Sequence, residues 1–400
     1  ETEILTTQGW KKWDTLALDD QCAQYNTQTR LMKWGSIKHI RHYEIKNEPL
    51  IYAGGGRLEM ALTRNHRCLV RLRPSMRETF LQANQLRCFQ AIPLIESWED
   101  TQESNEPSLY IAELLGWFIA EGYRPWTQHT LHTRTRQSAT VEIHQSYSAN
   151  PHKCQHIQEL LAMSGATWRE YRNHSRGEKI CFRITGRIAR LLIQLGPRKN
   201  IPLAALQWST KTIEALLKGL IAGDGTITKE GAPGAGRETF IQKDKQTADL
   251  VQALYARIGR SAVVIPVSTP GRTAVYHVYT QKDRQRFINH IEQKPYTGVV
   301  WCPETETSTW LARRRGQIFI TGNCHLVQVM REVRRVLRDD GVLFLNLGDS
   351  YTSGNRVGHG TRVGYKQQTN RGMNDDTAPP RAPQPPGLRP KNLLGIPWRV

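Results

Sequence analysis

The first hundred residues alternate between short apolar runs and turn signals, a pattern typical of strands joined by tight turns. The glycine triplet at residues 54–56 is the clearest of these turn signals. Runs with strand character occupy Ile4–Thr6, Leu31–Trp34, Ile37–Tyr43, Leu50–Tyr52, Leu58–Leu62 and Cys68–Leu72. Because no long helical pattern interrupts them, we predict a compact all-β unit, followed by a polar, acidic linker over Ser97–Ser108.

From Leu109 onward the spacing of apolar residues changes to that of helices. Leu109–Ala120 is apolar on most faces, as expected for a helix buried between partners. Further helices are predicted over Ile157–Met163, Ile188–Leu195, Thr212–Ala222 and Thr247–Ile258, and strands over Thr140–His144, Lys179–Ile184, Ser261–Val267 and Ala274–Thr280. A helix that ends in an acid and a glycine occurs twice, so we predict an α+β unit with an internal duplication.

Short strand patterns return after Pro295, and the character of the chain then changes again. The returning strands are predicted over Gly298–Cys302, Thr309–Ala312 and Gln317–Thr321, a helix over His325–Leu337, a strand over Gly341–Leu347 and a connector over residues 352–390. The chain is therefore predicted to be multidomain. An all-β unit (1–104 and 297–323) is split by an α+β unit (105–296), and an α/β fragment follows (324–400).

The charge is concentrated in the predicted α+β unit. The whole chain carries a formal charge of +19, and residues 105–295 hold 26 basic and 15 acidic side chains, a net +11. A folded segment with this bias favours a polyanion as its partner, most simply the phosphate backbone of nucleic acid. A merely soluble basic surface is the alternative that charge alone leaves open.

The cysteines argue against a zinc site and against a disulfide framework. All seven are scattered, without a CxxC motif or a paired Cys/His spacing. No apolar run is long enough to span a bilayer, and no charged-then-apolar leader opens the chain, so we expect a reducing cytoplasm and no membrane partner. The first residue is Glu1 rather than Met, and we expect that the N-terminus is truncated.

Two carboxylates stand at the ends of two similar apolar helices. Leu114–Gly122 is echoed by Leu217–Gly225, each with glycine at its third position and an acid before its last glycine. Small residues let two helix backbones approach closely, and each acid lies where the helix dipole already disfavours an anion. Two such anions repel unless cations bind between them, and paired carboxylates holding Mg²⁺ are suited to phosphodiester hydrolysis. Ordinary helix ends with an acid and a glycine are the alternative.

This segment resembles the LAGLIDADG homing endonucleases, in the single-chain, two-motif form found inside inteins. The resemblance implies double-stranded DNA as substrate, a monomeric endonuclease, and Glu121 and Asp224 as catalytic acids that bind Mg²⁺. It also implies that Lys199, ahead of the second motif, is the catalytic lysine that stabilises charge on the phosphate. The first motif differs from the family pattern in having Glu rather than Asp and bulky Trp117 and Phe118, and the lysine of the second repeat cannot be placed.

The flanking all-β segments resemble the splicing domain of an intein, the Hint fold. Thr63–His66 resembles the TxxH element, in which His66 would protonate the amide nitrogen of the N-terminal scissile bond and Thr63 would help to polarise it. Asn323 followed by Cys324 resembles a splice junction. The asparagine side chain can cyclise and cut the chain, after the cysteine thiolate has taken the N-terminal acyl group.

Two departures from the intein pattern limit what this chain is expected to do. Gly322 stands before Asn323 where histidine is usual, so the cyclisation needs another proton donor. No nucleophile precedes Glu1, so we expect cleavage at Asn323 but no complete splicing. Cys302 could be an alternative first nucleophile, but the inteins that work in this way carry Trp where this chain has Cys68. Cys302 is therefore interpreted as an assisting residue or a core thiol.

The C-terminal segment resembles part of a DNA methyltransferase of the N4-cytosine or N6-adenine type. The likeness lies in Met330–Leu337, Asp340–Tyr351, Pro386–Lys391 and Gly395–Trp398. The catalytic and S-adenosylmethionine-binding loops of such enzymes are not found here, so we expect the cofactor to bind only to the complete methyltransferase. Two rival interpretations remain: a basic target-recognition module with neither nuclease nor splicing activity, and a hedgehog-like autoprocessing domain.

Overall fold

A computed structural model of the chain describes residues 1–99, 106–125, 139–173, 178–268, 271, 273–323, 336–338 and 341–342. The chain divides into two compact units, Glu1–Cys324 and His325–Val400. The predicted helix over His325–Leu337 and the strand over Gly341–Leu347 lie almost entirely outside the described residues, as does Cys324. The fold described below is that of the first unit.

The first segment is built from strands, as its sequence predicts. They are Thr2–Thr6 (β1), Gly9–Lys11 (β2), Gln21–Asn26 (β3), Leu31–Gly54 (β4), Glu59–Leu62 (β5), Arg67–Leu72 (β6), Arg77–Gln82 (β7) and Ala91–Pro93 (β8). β4 is one continuous strand of 24 residues where we predicted three separate runs. Most of residues 44–49, between the second and third predicted runs, are exposed, so no apolar alternation marks them, and backbone pairing to a later strand keeps them extended.

The middle segment contains five α-helices. In chain order its elements are Leu109–Glu121 (α1), Gly122–Tyr123 (β9), Thr140–Ser146 (β10), Pro151–Met163 (α2), Thr167–Asn173 (β11), Lys179–Thr185 (β12), Gly186–Leu195 (α3), Thr210–Asp224 (α4), Gly225–Ile227 (β13), Glu238–Gln242 (β14), Lys245–Arg257 (α5), Ala262–Val267 (β15) and Val275–Thr280 (β16). The predicted helices are confirmed, whereas β9, β11, β13 and β14 were not predicted.

The duplication predicted from the sequence is visible in the order of these elements. A helix, two strands, a helix and two strands follow one another from α1 to β12 and again from α4 to β16, with α3 added to the first copy. Each copy forms its own antiparallel sheet, with strand orders β11-β12-β10-β9 and β13-β14-β16-β15. The two first helices, α1 and α4, pack against each other at the centre.

The last segment returns to the sheets of the first. Its strands are Gln285–Phe287 (β17), His290–Thr305 (β18), Thr309–Arg314 (β19) and Gln317–Gly322 (β20). The main sheet has the order β18-β4-β3-β1-β19-β20, and a smaller one has the order β17-β8-β6-β7. Each of these two sheets combines strands that precede α1 with strands that follow β16. Neither sheet could therefore form without both parts of the chain. The predicted boundary between residues 296 and 297 is wrong, because it falls inside β18 and β17 already pairs with β8.

A buried arginine joins the middle segment to the main sheet. Arg313 of β19 is 1 % exposed, and its guanidinium donates to Glu3 of β1 and to Asp249 of α5, each at 2.7 Å. A buried cation needs such anionic partners, because desolvation without them costs several kcal/mol. Trp98 adds a second link, donating from its indole to the carbonyl of Ala256 in α5 at 2.7 Å. The second copy of the repeat is therefore fixed to the strands around it.

Candidate active sites

The first candidate site begins with two glycines that let α1 and α4 touch. A Cβ added to Gly219 would lie 2.1 Å from the carbonyl oxygen of Glu113 and 3.0 Å from the Cα of Gly116. A Cβ added to Gly116 would lie 2.4 Å from the carbonyl oxygen of Leu216. Only glycine permits this approach, so the glycine in each motif is explained by the backbone contact between the helices.

Glu121 and Asp224 are the last residues of α1 and α4. They lie side by side, because Gly223, the residue before Asp224, packs against Ala120 and the Glu121 side chain. Burial raises the pKa of Glu121 above its usual range, and the negative charge of Asp224 raises it further. The pKa of Asp224 is also raised by burial. The two acids that the sequence predicts to act together are thus adjacent, and their charges are unfavourable where they lie.

Two lysines approach the same helix ends. Lys199 donates from Nζ to the carbonyl oxygen of Ala120 at 3.3 Å, and Lys153 of α2 donates to that of Ala222 at 2.6 Å. Both cations lower the pKa of Glu121, and Lys199 also lowers that of Asp224, against the effect of burial. Lys199 has a φ of 60°, a left-handed conformation that costs about 1–3 kcal/mol in a residue with a side chain. This strained turn directs the predicted lysine toward both acids.

Two residues of this site were missed by the sequence analysis. Gln145 is 6 % exposed on the inner face of β10, and its side chain forms a hydrogen bond with Glu121. A polar residue at a position of β10 where the alternation calls for an apolar one was the available signal. Lys153 gives no such signal, because it lies before the predicted helix over Ile157–Met163, where a lysine indicates only an exposed position.

The chemistry of this group fits a divalent cation. Two carboxylates that repel each other in a half-buried place are stabilised when a cation binds between them, and hard oxygen donors are what Mg²⁺ prefers. The neighbouring lysines oppose the rise in the pKa of the carboxylates, and they add positive charge where a phosphate would lie. Glu121 and Asp224 are the residues that would hold the ion.

The second candidate site surrounds the end of β20. The Asn323 side chain is 2 % exposed and is held by the segment at the end of β18. In the amide orientation that satisfies both ends, its nitrogen donates to the carbonyl oxygen of Pro303 at 3.1 Å, and its oxygen accepts from the backbone nitrogen of Thr305 at 2.8 Å. Because both ends of its carboxamide are hydrogen-bonded, the buried Asn323 side chain can adopt few other conformations.

His66 and Cys302 lie beside this strand end. The Nε2 of His66 is 2.7 Å from the Oγ1 of Thr321, and Cys302 donates from Sγ to the carbonyl oxygen of Gly322 at 3.9 Å. Burial lowers the pKa of His66 to about 4, so its ring is neutral at neutral pH. Thr63 accepts from the backbone nitrogen of His66 through its own carbonyl at 2.9 Å. Four of the predicted residues therefore meet at this second site: Thr63, His66, Cys302 and Asn323. The other three, Glu121, Asp224 and Lys199, lie together at the first site.

The glycine before Asn323 has a steric explanation. A Cβ at Gly322 would lie 2.7 Å from the carbonyl oxygen of Arg67 and 3.1 Å from the ring of Phe80. A histidine, which is usual at this position in inteins, does not fit unless the backbone of β6 moves. A cavity of 790 Å³ adjoins the site and is lined by Glu1, Thr63, His66, Trp301 and Thr321, among others. Glu1 thus lies at the same cavity as His66 and Thr321.

Comparison with known proteins gives matches for separate parts of the chain. Residues 211–292 match the family described as LAGLIDADG-like domain, a range that includes Asp224 and leaves Glu121 outside. The chain is similar to the solved structure of I-DmoI in complex with DNA and Ca, with a TM-score of 0.33, 17% identity, 44% of this chain covered and 85% of that one. The N-terminal LAGLIDADG domain of DUF199/WhiA gives a TM-score of 0.30 and 13% identity, with 46% and 80% covered. In the described residues, no helix has the length and apolar character needed to cross a membrane.

Three curated relatives are type II methyltransferases. M.SmaI of Serratia marcescens is 48% identical over 107 residues, which are 25% of this chain and 34% of that protein. M.XycI of Xanthomonas campestris pv. cyanopsidis is 51% identical over 112 residues, with 26% and 35% covered. M.Cfr9I of Citrobacter freundii is 40% identical over 112 residues, with the same shares covered. The chain thus spans about a third of these relatives' length, and it combines similarity to methyltransferases with a LAGLIDADG-like domain over residues 211–292.

Proposed function

We propose that the middle segment is a site-specific endonuclease that cuts both strands of DNA. The observation that supports this most directly is the pair of adjacent acids, Glu121 and Asp224, each flanked by a lysine. Their place at the contact of two duplicated helices suits a substrate with two strands related by a twofold axis. The net charge of +11 in residues 105–295 supports an extended contact with phosphates.

In this proposal, the residues of the chain prepare the site for a phosphodiester. Mg²⁺ held by Glu121 and Asp224 would supply the Lewis acid that makes water a nucleophile at neutral pH. Gln145 fixes the rotamer of Glu121 by its hydrogen bond, which preserves the position of one ligand. Lys199 interacts electrostatically with both acids and would stabilise the negative charge that develops on the phosphate. A single chain contains both helices, so the endonuclease would act as a monomer.

The test is metal-dependent cutting of DNA that carries an uninterrupted methyltransferase coding sequence. Glu121→Gln and Asp224→Asn should each abolish double-strand cleavage in the presence of Mg²⁺, whereas Glu214→Gln, on the exposed side of α4, should leave it intact. Cleavage that survives in the double variant would contradict the proposal. DNA binding without cutting in the unaltered chain would instead favour the rival, a target-recognition module without nuclease activity.

We propose protein splicing as a second function, carried by the β-segments on either side. The supporting observation is the meeting of His66, Cys302 and Asn323 at the end of β20. The buried carboxamide of Asn323 is the group that would attack its own carbonyl and release the chain that follows. Because Gly322 leaves no room for a histidine, the pair formed by His66 and Thr321 would supply a proton for this step.

Mass spectrometry of the chain after incubation tests this second function. A chain extended upstream by a cysteine and a short host segment should give a ligated product, and the chain as it stands should be cut after Asn323. Asn323→Ala should prevent both products, whereas Asn150→Ala, directly before α2 in the middle segment, should not. Unchanged processing in Asn323→Ala would contradict the proposal.

The host of the splicing element would be a type II DNA methyltransferase. The similarity to M.SmaI and M.XycI supports this, since residues of such an enzyme are expected to follow the junction after Asn323 and Cys324. The methyltransferase would use S-adenosylmethionine only when its remaining part is joined. A cytoplasmic location would follow from a DNA substrate and from a thiol, Cys324, that has to stay reduced.

A further inference from the structure

A group of potential metal ligands lies away from both candidate sites, on the first four-stranded sheet. Glu142 and His144 are two residues apart on β10 and so project from the same face. His144 stands directly opposite Cys181 of β12 in the antiparallel register. One ligand atom from each of the three lies within 4.8 Å of the others. The opposite face of β10 carries Val141 and Ile143, which are completely buried.

We propose that Glu142, His144 and Cys181 bind a Zn²⁺ ion on the outer face of this sheet. A thiolate, an imidazole and a carboxylate are the donors that Zn²⁺ takes in proteins, and three protein ligands leave its fourth position to water or to another molecule. In a tetrahedral zinc site the ligand atoms are roughly 3.5 Å apart. The three side chains therefore have to close by at most about 1.3 Å, which His144 can supply, because its side chain is 44% exposed.

The carboxylate is already oriented for this role. Its Oε1 accepts from Nε of Arg183 at 2.7 Å, whereas Oε2 lies 3.3 Å from Nε2 of His144. The oxygen that faces the imidazole is thus available to a metal, while the arginine holds the other oxygen, as outer partners of metal ligands commonly do. The thiol proton of Cys181 would be released to solvent when the ion binds.

The ligand set distinguishes this site from the pair of acids. Glu121 and Asp224 offer only oxygen, which suits Mg²⁺, whereas a thiolate and an imidazole select zinc and other late transition metals. The two sites would therefore fill independently of each other. The sequence alone argued against a zinc site, because His144 and Cys181 are 37 positions apart in the chain and only the register of β10 and β12 brings them together.

Titration with Co²⁺, a coloured substitute for Zn²⁺, tests the site in the full chain carrying Glu121→Gln and Asp224→Asn. One equivalent should give a thiolate-to-cobalt charge-transfer band, which Zn²⁺ removes and excess Mg²⁺ does not. Cys181→Ser should abolish the band, and Cys88→Ser, at an exposed cysteine, should retain it. A band that survives Cys181→Ser, or bound cobalt without any such band, would overturn the proposal.

A second measurement needs no substitution and so does not depend on the folding of a variant. Zn²⁺ at one hundred times its dissociation constant leaves about one site in a hundred free, so alkylation of Cys181 should slow by about 100-fold. Peptide mapping of the reduced protein follows each cysteine separately, with Cys88 as the internal reference. Equal alkylation of Cys181 with and without Zn²⁺ would overturn the proposal whether or not the chain cuts DNA.

Discussion

Replacing Gly219 by alanine tests whether the helix contact determines the geometry of the paired acids. The added Cβ would lie 2.1 Å from the carbonyl oxygen of Glu113, whereas ordinary contacts begin at 3.4 Å. The backbone of α1 would therefore have to withdraw by about 1.3 Å, the difference between these two distances. No side-chain rotation can relieve the overlap, because the atom that is met belongs to the backbone.

The cost of this change can be estimated from its two opposing parts. Overpacking of a tight core costs about 1–3 kcal/mol, and a clash with backbone belongs at the upper end. Alanine is favoured over glycine inside a helix by about 1 kcal/mol, which offsets part of the cost. The net loss of about 2 kcal/mol corresponds to a fall in Tm of about 4–8 °C for a segment of this size. A displacement of about 1 Å at the reacting groups can also lower the cleavage rate by about 100-fold.

Differential scanning calorimetry and a cleavage assay on the same preparations measure the two effects. Glu214→Ala is the matched control, because this residue is exposed on α4 and the substitution leaves the contact with α1 unchanged. A Gly219→Ala variant with an unchanged Tm would refute the steric reasoning. A lower Tm with full cleavage activity would support the steric role of Gly219 but refute the role of the helix contact in positioning Glu121 and Asp224.

Three further predictions follow from the charges of the sites. Since burial raises the pKa of Glu121 and Asp224, their ionisation destabilises the fold. Glu121→Gln and Asp224→Asn should therefore raise Tm at pH 7, and this gain should disappear as the pH falls toward the usual pKa values of 4.5 and 3.8. Because burial lowers the pKa of His66 from 6.5 to about 4, stability should fall by about 3 kcal/mol as the pH drops through that interval, and thermal melts of His66→Gln should show a flatter dependence. Lys153→Met should move the acid limb of the cleavage pH profile to higher pH, because Lys153 lowers the pKa of Glu121, and Lys153→Arg should not; an unmoved profile in Lys153→Met would contradict this.

The sequence was informative where one local pattern determines both structure and chemistry. The motif of glycine and acid predicted that α1 and α4 would touch and that Glu121 and Asp224 would be neighbours, because a helix places each acid at a fixed distance from its glycine. The helices themselves were predicted for the same reason, since an apolar stripe repeats every three to four residues.

What the sequence did not predict depends on contacts between distant segments. Gln145 and Lys153 approach the acids only through the packing of β10 and α2 against the helix pair. The middle of β4 is exposed and polar, and its extended form is a consequence of pairing with β18, about 250 residues later in the chain. The strands of the outer sheets resume at Gln285, about ten residues before the sequence pattern predicts. The pattern misses β17 because this strand is short and lacks the alternation that marks a strand.

The interleaving of the outer segments has a consequence for how the protein could be divided. A break in the exposed loop at Glu230 would give one piece with β1–β8 and another with β17–β20, and neither piece could complete the main sheet alone. Each piece would expose long unpaired strand edges, chiefly those of β4 and β18. The same edges are complementary to each other, so coexpressed halves should reassemble as a noncovalent heterodimer, while either half expressed separately should aggregate.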